Sequence, residues 1–137
     1  MTGSLEDALR AHIEATGTTP CEWGKSDCTS FAAAWIETVH GRPVKRPRWK
    51  SKERAMALIK KRGSLLDLWS DVLGDFGLLR GMGGMVPEPG DVGLINTHLA
   101  GVVGGIFVKP HLFAWRSEPF GTRLMHIRSF EAFWSIR

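Results

Sequence analysis

Glu88-Pro89-Gly90-Asp91-Val92-Gly93-Leu94-Ile95-Asn96-Thr97-His98-Leu99-Ala100-Gly101-Val102-Val103-Gly104-Gly105-Ile106-Phe107-Val108 is where the chain changes character. It opens on a Pro-Gly turn signal and runs into two short apolar stretches, 92–96 and 99–108, rich in Val, Ile and Phe. Short runs of this composition, punctuated by glycine, read as strands. Two further runs follow, TRLMHIR (122–128) and AFWSIR (132–137). Working backward, residues 74–90 (GDFGLLRGMGGMVPEPG) are glycine-rich and read as loop.

Upstream of that loop the pattern is helical. Ser4 with Asp7 three residues on opens a helix whose Leu5, Ala8, Leu9 and Ile13 share a face, and Gly17 stops it. After a loop from Thr18 to Lys25, a second helix begins near Ser26 or Asp27. Cys28, Phe31, Ala32, Trp35 and Val39 recur there at three- and four-residue spacing, and Gly41 takes the C-terminal place. Ser51 caps a third helix reaching Arg62, and Ser64 with Asp67 opens a fourth, LLDLWSDVL, ended by Gly74. Helices first and antiparallel strands second predict an α+β fold, with N-terminal helices packed on a C-terminal antiparallel sheet. The length, 137 residues, suits one domain over 1–137.

Composition narrows the function classes. Two cysteines make no disulfide framework, and no apolar stretch is long enough to span a bilayer. The N-terminus lacks the basic segment and apolar run of a secretory signal, so synthesis in the cytoplasm is expected. Net charge is +4, and Arg42, Lys45, Arg46, Arg48, Lys50, Lys52 and Arg54 crowd one stretch against Glu53 alone. With Pro43 and Pro47 this connector is expected to be extended. It reads either as a solvated link or as a patch for an anionic partner. A nucleic-acid module would rest on charge alone, since no recognition helix or aromatic sheet motif accompanies it. Gly81-x-Gly83-Gly84 follows no strand and suggests no phosphate cofactor. Cys21 and Cys28 with His98 and His111 lack the close ligand pair of a zinc site, so neither metal nor cofactor is expected.

Cys28 stands in the first turn of an apolar-faced helix, where unpaired N–H groups and the helix dipole favour thiolate. The alternative is a buried structural cysteine. A catalytic thiol needs a base, and His98 directly precedes the strongest strand signal; otherwise it is a solvated histidine. His111, past Pro110, is the first choice for a group that orients His98 if the chain reverses at 108–110, and Asn96 the second. His111 reads equally as a surface turn residue.

The segment Pro20-Cys21-Glu22-Trp23-Gly24-Lys25-Ser26-Asp27-Cys28-Thr29-Ser30-Phe31 resembles the nucleophile region of the NlpC-type papain-like peptidases. There a Trp-Gly pair precedes Asp-Cys at a helix start. Pro89-Gly90-Asp91-Val92 is similar to the turn leading into the first core strand of that superfamily, and His98-Leu99-Ala100-Gly101-Val102-Val103-Gly104 to its base-bearing strand. More closely, the layout resembles a short family of phage and prophage proteins. Cys21 stands where the superfamily often has Tyr, and Asp27-Cys28-Thr29-Ser30 replaces Asp-Cys-Ser-Gly.

The resemblance implies a papain-like fold and a cysteine peptidase or amidase, with catalytic Cys28, His98 and His111. Asp27, Trp23 and Gly24 would support the site, and Trp23 and Trp35 would wall the groove or core. It further implies a peptidoglycan peptide as substrate, a virion tail as the place of work, and neighbouring tail proteins as partners. Delivery by the particle would make a signal peptide unnecessary. The rival expectation is a non-catalytic component of a tail tip with the same fold.

Overall fold

The computed structural model describes residues 4–17, 27–98, 100–116 and 121–137. The described residues form an α+β fold, with helices α1 (Ser4–Thr16), α2 (Cys28–His40), α3 (Lys52–Arg62) and α4 (Leu65–Phe76). Strands β1 (Val92–Thr97), β2 (Gly101–Lys109), β3 (Leu112–Arg116), β4 (Thr122–His126) and β5 (Ala132–Trp134) follow. The sheet is antiparallel throughout, in the order β4-β3-β2-β1-β5.

Local chemistry sets the helix ends. Asp27, Ser51 and Ser64 accept from Ser30 N, Arg54 N and Asp67 N, three residues ahead in each case. Gly41 closes α2 in the left-handed region at φ 71°. Helix α4 does not stop at Gly74 but runs to Phe76, with Gly77 as its cap. Phe76 is buried, Arg42 donates to its carbonyl at 2.7 Å, and the Arg42 guanidinium lies 3.7 Å from the ring centre. This docking outweighs the intrinsic cost of one helical glycine, about 1 kcal/mol.

Alternation divides the sheet into two faces. Val92, Leu94, Ile106, Ala114 and Trp134 pack with Phe31, Trp35 and Ile36 of α2, and Trp35 is fully buried. Ile95, Val103, Phe107, Phe113, Trp115 and Phe133 form a second cluster. Gly104 and Gly105 are small because of what lies against them. A Cβ on Gly104 would overlap the Trp69 ring of α4, and one on Gly105 would sit 2.8 Å from the Phe113 ring. Strand β3 has no counterpart among the expected strands. Its residues Phe113–Arg116 are buried without alternation, so the period-2 signal is missing.

The turn before β1 ties the layers together. Trp35 Nε1 donates to Gly90 O at 2.7 Å, with Gly90 at φ 95°. The Asp91 carboxylate accepts from Glu88 N at 2.8 Å and Ile136 N at 2.9 Å. Burial pushes that carboxyl above its ordinary range, against these two donors. Asp91 is therefore a structural clasp for the C-terminal segment.

The connector 41–51 is extended, as its prolines predict, but it is more than a solvated link. Val44 and Trp49 are buried, and Glu37 accepts from Val44 N at 2.8 Å near the end of α2. Trp49 reaches Asp27 at the opposite end of the same helix. Thirteen helical residues span about 20 Å, a distance that an extended stretch from Gly41 to Trp49 readily covers. The connector thus doubles back along α2.

Candidate functional site

Three consecutive residues open α2, and each has a distinct part. Asp27 is 1% exposed, and both carboxylate oxygens are occupied. Oδ1 accepts from Ser30 N at 2.9 Å, and Oδ2 accepts from Trp49 Nε1 at 3.0 Å. Thr29 Oγ1 accepts from Trp69 Nε1 at 3.2 Å. Cys28, between them, is half-buried. The helix start is thus held on either side of the thiol by indoles from the connector and from α4. Asp27 is a cap, consistent with its expected supporting part, and its engaged oxygens leave it no place as an acid or base. Burial, and after it the charge of Arg48, lowers the pKa of Arg46, with Asp27 and Glu37 acting the other way.

Cys28 opens into a cleft of about 1110 Å³. One side of the cleft is formed by the start of α2, by Trp49, and by Met56, Ile59 and Leu65 of α3 and α4. The tip of the β1–β2 hairpin forms its lip, and the second face of the sheet continues it through Val103, Trp115 and Met125. His98 stands on the lip, exposed, in the turn after β1. Thr97 Oγ1 shapes that turn by accepting from Ala100 N and donating to Gly101 O, both at 2.9 Å. Asn96 pairs with Val102, and Leu94 pairs with Gly104, the residue under Trp69. Strand alternation therefore puts Asn96 on the helix-facing side, where it too lines the cleft.

Asp27, Cys28, Asn96 and His98 all line this cleft, and His111 does not. His111 lies in the turn between β2 and β3, at the opposite end of the nine-residue β2 from the hairpin tip. At about 3.3 Å per residue the two ends are some 25 Å apart. The reversal at 108–110 does occur, but at the end of the sheet opposite the β1–β2 tip. His111 does not orient His98. The expected supporting residues Trp23 and Gly24, and Cys21, lie outside the described residues.

Sequence reasoning did not single out Trp49, Trp69 or His126. The two indoles reach the site across 22 and 40 residues, and no spacing rule pairs them with Asp27 and Thr29. His126 lines the far margin of the cleft from β4, where its partner in the ladder is Leu112. Arg116 also borders the cleft, but it is buried, and its guanidinium donates to Thr16 O and to Thr122 Oγ1, tying α1 to the sheet edge. Among the described residues no helix is long and apolar enough to cross a membrane.

Residues 3–136 match the family described as a domain of unknown function, DUF6950, and the chain belongs to that family. A comparison with curated proteins finds no match.

Proposed function

We propose that this chain is a thiol-dependent amide hydrolase of the papain-like, NlpC type, with Cys28 as nucleophile and His98 as general base. The observation that carries the reading is that a thiol heading a tethered, apolar-faced helix and an imidazole on the lip of the central hairpin open into one cleft. The fold order, helices before an antiparallel sheet, suits the same reading.

Cys28 Sγ, deprotonated with His98 holding the proton, attacks an amide carbonyl carbon. The carbonyl π electrons move to oxygen, and backbone N–H groups at the helix start stabilise that oxyanion. Collapse breaks the C–N bond, the amine leaves with the proton from His98, and a thioester remains on Cys28. Water, deprotonated by His98, then releases the acid and restores the thiol. Asn96, on the same side of the hairpin, takes the orienting place that His111 cannot fill. A cell-wall peptide is the proposed substrate and a phage tail the proposed setting, with neighbouring tail proteins as partners.

One observation favours a second reading, a non-catalytic tail-tip component: His98 is exposed rather than enclosed against the thiol. Digestion of purified peptidoglycan separates the two. Wild type is expected to release soluble peptides and Cys28→Ala none. His98→Ala should lose about 100-fold or more in rate, the usual worth of a general base, and His111→Ala should retain the wild-type rate. Equal release by wild type and Cys28→Ala ends the hydrolase proposal. So does Cys28 that reacts with iodoacetamide at pH 6 no faster than an ordinary cysteine.

A further inference from the structure

The charge of this chain is divided unevenly. Residues 42–62 hold ten basic side chains against one acid, Glu53, and the rest of the chain holds eight against thirteen. The connector and α3 are thus net positive by nine on a body that is net negative by five. Four of the ten are engaged or enclosed. Arg42 is held on Phe76, Arg62 pairs with Asp71 at 2.7 Å, Arg46 is half-buried and Lys52 lines the cleft. The side chains of the other six, Lys45, Arg48, Lys50, Arg54, Lys60 and Lys61, are exposed and make no ion pair or hydrogen bond among the described residues. Their placement is continuous. Trp49 turns inward onto Ala55 and Leu68 and leaves Arg48 and Lys50, on either side of it, at the surface with backbones about 7 Å apart. Ser51 then caps α3. Arg54 and Lys61 lie two turns apart on one face of that helix, about 10 Å from each other, with the short, exposed Ala57 between them and Lys60 alongside. Ala55, Leu58 and Ile59 occupy the opposite face and pack toward Leu65 and Leu68 of α4.

We propose that the connector and α3 form a sequence-independent docking surface for duplex DNA, in which these six cations contact backbone phosphates. The partner follows from what the track contains and what it lacks. Trp49 is the one aromatic residue of 42–62 and it is buried, so no ring is offered for the unstacked bases of a single strand. The apolar face of α3 is turned to α4, and Met56 is its one exposed large apolar side chain, so the helix has no free face to lay into a bilayer. A protein partner would ordinarily find aromatic or apolar anchors, which this face does not present. Duplex phosphates need neither rings nor an apolar face: they form a regular array of anions that a line of unpaired cations neutralises, releasing counterions. The net-negative remainder of the chain is repelled by the same array, which restricts binding to this one face. The proposal uses neither Cys28 nor the cleft and stands apart from the hydrolase reading.

The test titrates the full chain against two short labelled duplexes, one of A·T and one of G·C pairs, by fluorescence anisotropy over a series of salt concentrations. The two should bind equally, with log K falling against log salt at a slope near −5, about −0.9 for each of six phosphate contacts. Lys60→Gln with Lys61→Gln should flatten that slope by about 2 and weaken binding at low salt by about tenfold or more. Both side chains are exposed, so the fold should persist, and thermal unfolding checks this. Lys109→Gln, which removes an exposed cation at the far end of β2, should change neither affinity nor slope, and Cys28→Ala should bind as wild type does. Absence of binding at low salt overturns the proposal, as does a slope that the Lys60 and Lys61 substitutions leave unchanged. Tighter binding of a single strand than of the duplex overturns it too, as does retention on vesicles of phosphatidylglycerol and phosphatidylcholine without binding of the duplexes. Duplex binding by a chain that digests no peptidoglycan would leave this surface standing and sink the hydrolase, and digestion without duplex binding would do the reverse.

Discussion

Replacing Trp49 by Phe tests whether the connector holds the head of α2. The indole is 5% exposed and packs with Ala55 and Leu68, and its Nε1 donates to Asp27 Oδ2 at 3.0 Å. The substitution keeps a ring in the pocket, losing about 1 kcal/mol of apolar burial. It also removes a buried hydrogen bond to a carboxylate, worth about 1.5–3 kcal/mol. A total near 3 kcal/mol is a large share of the stability of a domain this size, typically about 5–15 kcal/mol. The hydrogen-bond share is isolated by a double-mutant cycle with Asp27→Ser, which keeps an N-cap oxygen for Ser30 N but withdraws the acceptor from the indole. In urea unfolding, Trp49→Phe should cost about 3 kcal/mol when Asp27 is present and only about 1 kcal/mol when it is combined with Asp27→Ser. A cost equal in both backgrounds to within about 0.5 kcal/mol would refute the tether and leave Trp49 as packing alone.

Two further outcomes follow from buried groups elsewhere. His12 stacks on Phe31 with ring centres 4.9 Å apart, its Nε2 donates to Phe31 O at 3.1 Å, and burial lowers its pKa from 6.5 despite that bond. A histidine whose folded pKa is depressed takes up its proton more readily in the unfolded chain, so stability should fall as pH drops below about 6.5, by at most about 1.4 kcal/mol per pH unit. His12→Gln should remove that part of the slope in urea unfolding between about pH 7.5 and 5.5, and an unchanged slope would show that His12 is not its source. Gly104→Ala should cost about 1–3 kcal/mol by forcing Trp69 off the sheet, whereas Gly83→Ala, whose Cβ meets nothing within 4 Å, should stay within about 0.5 kcal/mol of wild type.

Legibility in the sequence follows the range of the interaction. The starts of α2, α3 and α4 depend on caps that reach three residues ahead, and Asp27, Ser51 and Ser64 announce them. The change to strands at Pro89-Gly90-Asp91 is equally local, because Gly90 adopts φ 95° and Asp91 bonds back to Glu88. The end of α4 is not local. Gly74 looks like a stop until Phe76 is seen buried and capped by Arg42, 34 residues earlier in the chain. Strand β3 escapes notice for a related reason: a short strand buried on both faces has no alternation to read. At the site, Cys28 is legible from its place in a helix and His98 from its place beside a strand. Which of His111 and Asn96 shares the cleft with His98 is not legible, because that requires knowing which end of β2 borders the cleft. Asn96 lies two residues from His98 on the cleft side, while His111 is one strand length away.

The basic connector shows how one sequence feature can serve the fold and the site together. Seven cations between residues 42 and 54 suggest a surface for an anion, yet the structure engages two of them inward. Arg42 caps α4, and Arg46 is half-buried within reach of the charges of Asp27 and Glu37. The buried residues of the same stretch, Val44 and Trp49, fasten it near both ends of α2. A helix gripped at one end can still pivot about that end, whereas one gripped at both ends has its N-terminus fixed relative to the sheet it packs on. Asp27 and Thr29 extend that grip to the two neighbours of Cys28, through indoles that arrive from opposite sides of the chain order. The thiol's position is therefore set by the connector and α4 rather than by the helix alone. Loosening either indole should alter Cys28 reactivity before it alters the rest of α2.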